Sequence, residues 1–335
     1  MGRMTAARCG GGSRRVATTS STLRGASDDA AAQRIHDERI QVLVDLKGYT
    51  ADDRPHIAAG RPAPVQVNWL GFPGSMGADW IDYLIADPCV IPHEHDADYA
   101  EKVVRLQHCY QPNDRKRPGG AVRLSRNACG LPETGLVFCC FNQSYKIEPG
   151  LFAIWMRLLN SVPDSVLWLL EENRWSPENL RKEAVLHGVS PERLVFAPVR
   201  PLAEHLARYA LADLVLDTFP YTSHTTGSDA LWAGCPMVTL MGETFASRVA
   251  ASLLRNVGLE LLIACSFAEY EALALALARD RRRLAALRRH LRAEPDKLPL
   301  FDSPHFTHGL EAAYRRMWKQ FSEGKAPEAF DVRED

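Results

Sequence analysis

The 335-residue sequence lacks any apolar run near the roughly 20 residues that a membrane-spanning helix needs, so no membrane association is expected. It also lacks an excess of either charge. Its 40 Lys and Arg stand against 41 Asp and Glu, for a net charge of -1, which argues against nucleic acid or a polybasic membrane surface as partner. The 8 cysteines contain no Cys-x-x-Cys pair. Cys139 and Cys140 are neighbours within an apolar strand, point to opposite faces, and read as small buried residues of a reduced, cytoplasmic protein. His93-x-His95, near Asp96 and Asp98, has no further ligand pattern and reads as a solvated loop, so no metal is expected. No helical repeat of about 34 residues is present.

What is present is a 46% hydrophobic composition, enough for two α/β cores. Met1 to about Ala26 has no aliphatic periodicity. Residues 1–28 therefore read as a disordered leader foreign to the domain that follows, such as a misplaced start or a frame error would produce. A short helix at Ala30–His36 leads to strands at Ile40–Leu46, Val65–Leu70, Tyr83–Ala86 and Val103–Leu106. The Pro- and Gly-bearing Gln111–Arg126 stretch reads as a linker. A second series places strands at Leu136–Phe141, Ser165–Leu170, Leu194–Ala197, Leu214–Asp217 and Met237–Leu240, with helices between them, the pattern of a parallel sheet. An Arg-rich helix at Glu269–Leu291 and an amphipathic terminal helix through Phe306, Leu310, Ala313, Tyr314, Met317 and Trp318 follow. The expected domains are 29–120 and 121–335, the terminal helix belonging to the second.

Two strand-to-helix loops carry candidate chemistry. After Leu214–Leu216 comes His224-Thr-Thr-Gly-Ser-Asp229, just ahead of a helical pattern. A helix N-terminus offers unpaired N–H groups and a positive dipole end, so this loop suits an anion. Thr225, Thr226 and Ser228 add hydroxyls, and His224 and Asp229 suit sugar hydroxyls. An ordinary Thr-capped helix is an equal reading of that segment alone. After Val137–Phe141 comes Asn142-Gln143-Ser-Tyr-Lys146, followed by a helix opening at Pro149. Ligands of open α/β sheets gather at the carboxyl ends of strands, so Lys146 and the 224–229 loop are expected to converge on one anionic group.

These segments, together with Gly242-Glu-Thr-Phe-Ala-Ser-Arg-Val-Ala-Ala-Ser252, Asp45-Leu-Lys-Gly-Tyr-Thr50 and Arg61-Pro-Ala-Pro-Val-Gln-Val-Asn-Trp-Leu-Gly71-Phe-Pro73-Gly74, resemble the catalytic region of O-GlcNAc transferases from about Arg34 to about Phe321. The resemblance implies a GT-B architecture of two facing Rossmann-like domains, the first incomplete. It implies transfer of GlcNAc from UDP-GlcNAc to a protein Ser or Thr hydroxyl with inversion, and no metal or other cofactor. Lys146 would neutralise the leaving diphosphate with Thr225 and Thr226. Gln143 would donate to a phosphate oxygen, Asp229 would accept from the ribose, and His205 would lie against the uracil. Arg200 and Arg208 share that uridine-contacting segment, although its spacing fits an ordinary amphipathic helix equally well. Leu202 stands where the family's vertebrate form has a lysine. His36 matches a histidine near the donor sugar, a base or orienting donor, and is otherwise a plain helix-end residue. Gly71 and Pro73 match a loop closing over the sugar, and are otherwise a turn.

The family's leading strands, its His-Pro-x-x-x-His element and its TPR repeats have no counterpart in the sequence. A truncated UDP-sugar-binding remnant with little transfer is the alternative expectation, and a UDP-GlcNAc epimerase a weaker one.

Overall fold

The computed structural model describes residues 4–6, 19–117 and 122–333. The chain divides into one unit of Met1–Gln111 with Pro304–Asp335, and another of Pro112–Ser303.

In the first unit β1 (Met4–Ala6) and β2 (Thr19–Ser21) pair antiparallel. Residues 1–3 and 7–18 of the expected leader lie outside the described residues. Its expected boundary at 28 shifts earlier, because the Arg54 guanidinium donates to the Leu23 carbonyl at 3.2 Å, the Ala26 carbonyl at 2.7 Å and the Asp28 carboxylate at 2.7 Å. Then come α1 (Asp28–Asp37), capped by Ser27, β3 (Val42–Asp45), α2 (Pro55–Ala59), β4 (Val65–Asn68), β5 (Tyr83–Ala86) and β6 (Lys102–Arg105).

The second unit opens with β7 (Val137–Cys140), buried throughout as a central parallel strand must be, and α3 (Pro149–Ser161). Proline at the start of α3 costs no hydrogen bond there, and the Glu148 carboxylate accepts the Leu151 N–H at 2.9 Å. Next are β8 (Val166–Glu171), α4 (Ser176–Leu186), β9 (Leu194–Pro198), α5 (Leu202–Arg208), β10 (Leu214–Leu216), α6 (Thr225–Trp232), β11 (Met237–Leu240), α7 (Phe245–Arg255) and β12 (Ile263–Ala264). The Arg-rich stretch expected as one helix is two, α8 (Phe267–Arg279) and α9 (Arg281–Ala293). Asp280 leaves helical geometry and its carboxylate caps α9 through the Arg283 N–H at 2.9 Å.

All pairings of the six-stranded sheet are parallel, in the order β9-β8-β7-β10-β11-β12. Numbered within the sheet this is 3-2-1-4-5-6, the doubly wound Rossmann order. The order reverses between β7 and β10, so successive crossovers run to opposite sides there and leave a crevice at the carboxyl ends of those two strands.

The chain then returns to the first unit with α10 (Ser303–Ser322) and β13 (Phe330–Asp331). The terminal helix was expected within the second domain, and this is a correction. Ala313 and Met317 of α10 are fully buried against Val65, Val67, Tyr83, Ile85 and Val104, and the Tyr83 hydroxyl donates to Gln320 at 2.9 Å. β13 extends the first sheet as β13-β6-β5-β4-β3, all parallel. Among the described residues no helix is long and apolar enough to cross a membrane.

Candidate functional site

The loops at the switch point of the second sheet are joined through Asn142, the residue after the last apolar position of the β7 segment. Its buried amide donates to Thr218 Oγ1 and Ser223 Oγ, both at 2.8 Å, and to Asp217 Oδ1 at 3.3 Å. Its amide oxygen accepts the Thr226 hydroxyl. Asp217, fully buried at the end of β10, accepts from the N–H groups of Thr218 and Ser223 at 2.8 Å each and from the Thr239 hydroxyl at 2.6 Å. Burial pushes the Asp217 carboxyl up, and these donors oppose that shift. Neither Asn142 nor Asp217 stood out in the sequence. Their only signal was a polar residue directly following an apolar strand.

Lys146 emerges from the β7 loop and reaches the β10 loop. Its Nζ donates to the Thr222 carbonyl at 3.2 Å and lies 3.6 Å from the Tyr221 ring centroid. Burial lowers its proton affinity, against the pull of the nearby Asp217 carboxylate. The first intrahelical bond of α6 runs from the Ser228 N–H to the His224 carbonyl at 3.1 Å. The amides of Thr225, Thr226 and Gly227 therefore precede the helical ladder at its positive end. Gly227 is required for packing: a Cβ there would meet Leu253 at 2.9 Å and Ser223 at 3.0 Å. Gln143 is exposed beside this cluster in sequence, at the start of the Ser144–Lys146 turn. The structure sets Lys146 against the Tyr221–Thr222 turn and near His224, the residue that precedes Thr225 and Thr226. The Thr226 hydroxyl, expected to face an anion, is instead engaged by Asn142.

His224 is partly covered, but its Nε2 is inaccessible and without a hydrogen-bond partner. Burial, then the Lys146 ammonium, pushes its pKa down to about 3. The imidazole is accordingly neutral at physiological pH.

Asp229 lies one turn into α6 and is 5% exposed. Arg117, which the sequence reading placed in a linker, forms an ion pair with it and donates to Asn113 Oδ1 at 2.7 Å. Burial raises the Asp229 pKa and Arg117 opposes the rise. His205 approaches from α5, with its Nε2 3.7 Å from the Asp229 carboxylate. Arg208 is 3% exposed and donates to His205 Nδ1 from Nε at 3.1 Å and from Nη2 at 2.6 Å. A guanidinium only donates, so Nδ1 accepts and the ring proton sits on Nε2, facing Asp229. Burial and the Arg208 charge push the His205 pKa down to about 4. Arg208, expected as a uridine contact, is a core residue: its Nη1 donates to the Pro198 carbonyl at 3.1 Å and its guanidinium lies 4.5 Å from the Phe141 ring. Arg200 is exposed and pairs with Glu204 at 3.8 Å.

His36, Gly71 and Pro73 belong to the first unit. His36 is exposed near the end of α1, 3.7 Å from the Asp37 carboxylate. A Cβ on Gly71 would meet the Leu46 carbonyl oxygen at 2.1 Å, so only glycine lets the Gly71–Gly74 turn approach the Asp45–Thr50 segment. Tyr49 and Phe72 pack edge to face across that approach, with centroids 5.5 Å apart. His93 pairs with Asp331 at 3.2 Å and Asp96 with Arg105, so this sequence motif ties β13 to the sheet.

The profile of glycosyl transferase family 41 matches residues 21–118 and 111–310. The probable UDP-N-acetylglucosamine–peptide N-acetylglucosaminyltransferase SEC of Arabidopsis thaliana is 42% identical over 315 residues, covering 92% of this chain and 32% of that protein. The corresponding SPINDLY protein of Oryza sativa is 36% identical, covering 91% of this chain and 33% of its own length. This chain thus spans about a third of the curated relatives it matches. An O-GlcNAc transferase variant of Thermobaculum terrenum superposes with a TM-score of 0.81 at 36% identity, over 89% of this chain and 56% of that one. HepE of Anabaena, solved with UDP and glucose, shares the fold alone, with a TM-score of 0.62 at 13% identity over 86% of this chain and 81% of that one. The expected GT-B class, with its two parallel Rossmann-like sheets, is borne out.

Proposed function

The chain belongs to glycosyl transferase family 41, and on that premise we propose that it moves GlcNAc from UDP-GlcNAc to Ser or Thr hydroxyls of proteins, with inversion. The observation that carries this reading is the joining of two loops at a sheet switch point, which puts one ammonium and one helix N-terminus on the same crevice. The acceptor oxygen bonds to the anomeric carbon as that carbon's bond to the diphosphate oxygen breaks. The electron pair leaves with UDP. Charge therefore grows on the diphosphate during the reaction, where Lys146 and the amides of Thr225 and Thr226 are preorganised to meet it. Gln143 assists at a phosphate oxygen. The cationic lysine and helix dipole supply the neutralisation that a metal would otherwise give, so the reaction is metal-independent.

Asp229 accepts from the ribose, and His205, held neutral, lies against the base. Arg208 acts through His205, and Arg200 is the exposed cation of that segment. His36 of the first unit is the group proposed to take the acceptor proton or orient the hydroxyl. Gly71 and Pro73 shape the loop proposed to cover the sugar. A cytoplasmic setting belongs to the same reading and is supported by buried, unbridged thiols at Cys139, Cys140 and Cys235.

Titration calorimetry of the full chain with UDP in the presence of a chelator tests the donor site. Binding without metal is expected. No heat at millimolar UDP in a folded sample overturns the assignment. Transfer of labelled GlcNAc to a Ser/Thr peptide library tests the acceptor class.

A further inference from the structure

Tyr221 lies in the turn between β10 and α6, and the reading above makes no use of its ring. The turn is firmly fixed. The Tyr221 carbonyl accepts the Thr218 hydroxyl at 2.7 Å, and the Thr222 hydroxyl donates to the Ala246 carbonyl at 2.7 Å. The ring so held carries the Lys146 ammonium 3.6 Å from its centroid and has the His224 imidazole against it, with centroids 5.0 Å apart. The phenol hydroxyl makes no hydrogen bond among the described residues, so the contact uses the aromatic face.

An aromatic face suits this lysine better than a carboxylate would. The ring quadrupole attracts the ammonium. It carries no net charge, however, and leaves the full attraction of Lys146 for an anionic ligand. An ammonium has three donors, and one goes to the Thr222 carbonyl, so the contact with the ring face still leaves donor capacity for that ligand. A partly buried lysine otherwise tends to shed its proton and swing toward water.

We propose that Tyr221 is a positioning residue for the transfer reaction, its ring being the platform that holds the Lys146 ammonium toward the departing diphosphate and keeps His224 beside it. The inference rests on the transferase reading above.

Steady-state kinetics of the full chain, with Tyr221→Leu, Tyr221→Phe and Lys146→Ala, provide the test. Tyr221→Leu keeps the bulk and removes the π face. Its kcat should fall about tenfold while KM for UDP-GlcNAc moves much less. The alkaline limb of its kcat profile should shift to lower pH, because Lys146 deprotonates more readily. The other groups facing Lys146 are Asp217 after β10, Cys140 on β7 and His224 before α6, and all stay in place, so the shift reports the ring. Tyr221→Phe should restore most of kcat and the limb.

A second readout is independent of turnover. The Lys146 ε-methylene resonance, identified by its loss in Lys146→Ala, should be shifted upfield by the ring current in the parent and in Tyr221→Phe, but not in Tyr221→Leu. A parent-like kcat and pH limb in Tyr221→Leu, a Tyr221→Phe as impaired as Tyr221→Leu, or an unshifted resonance in the parent each overturns the platform. If Lys146→Ala lowers kcat and Tyr221→Leu does not, this inference alone fails. A parent chain that neither binds UDP nor transfers overturns both readings.

Discussion

The two α/β units use their buried polar side chains in opposite ways. In the first, Asp87, Glu101 and Gln66 each tie down a separate stretch of chain, and Arg105 pairs with the Asp96 carboxylate. Asp87 accepts the N–H groups of Cys89, Val90 and Tyr110, Glu101 accepts those of Met76 and the Ser75 hydroxyl, and Gln66 donates to the carbonyls of Ala58 and Trp80. In the second, Asn142, Asp217, Thr218, Ser223 and Thr226 bond to one another at the ends of β7 and β10. Dispersed polar groups fix loops. A gathered network, ringed by a lysine, two histidines and an aspartate with displaced proton affinities, is the pattern of a functional site. The lesson is that linkage among buried polar groups, more than their number, distinguishes architecture from chemistry.

The largest effect that could break this contrast is at Lys146. Lys146→Ala should lower kcat on the order of 10²–10³-fold while UDP affinity changes far less, because the diphosphate charge grows as the bond breaks. Binding isotherms beside turnover at saturating donor check this. A variant that lost affinity alone would make the cluster a binding device only.

A pair of alanine variants would sharpen the comparison. Asn142→Ala and Asp87→Ala each leave buried partners unsatisfied and should each cost about 1–3 kcal/mol in urea denaturation. Asn142→Ala should also weaken UDP binding by the folded fraction, since it uncouples the two loops. Asp87→Ala should leave that affinity as it was, because the amides of Cys89, Val90 and Tyr110 that it holds belong to the first unit. Equal losses of affinity would erase the distinction between the units.

The smallest effect is in the pH dependence of stability. The native-state pKa values of His205 and His224 lie at about 4 and about 3, below the ordinary histidine value of 6.5. Between those values the unfolded chain binds more protons than the native one, so stability rises with pH through that window and is lost as pH falls from about 6.5 toward 4. Replacing both histidines by glutamine should flatten this slope in denaturation midpoints measured from pH 4 to 7. An unchanged slope would place their proton affinities near the ordinary value.

The sequence by itself determined nine of the eleven described strands of the two parallel sheets and the two loops of the site; the two-residue edge strands β12 and β13 are too short to carry a periodic signal. Val137–Cys140, Leu214–Leu216 and Met237–Leu240 are apolar without alternation, as strands buried on both faces must be, and helix starts such as Pro149 and the Thr-rich 224–228 segment carry local chemical signals. Only the tertiary structure decided which groups are paired. Arg117 reaches Asp229 across 112 positions, Asn142 reaches Thr226 across 84, and the terminal helix crosses back to Tyr83 through a bond spanning 237. An amphipathic stripe shows that a helix must bury a face without saying against what, and a polar residue after a strand does not reveal its partner. Those choices depend on shape and burial between segments far apart in the chain, where local periodicity carries no information.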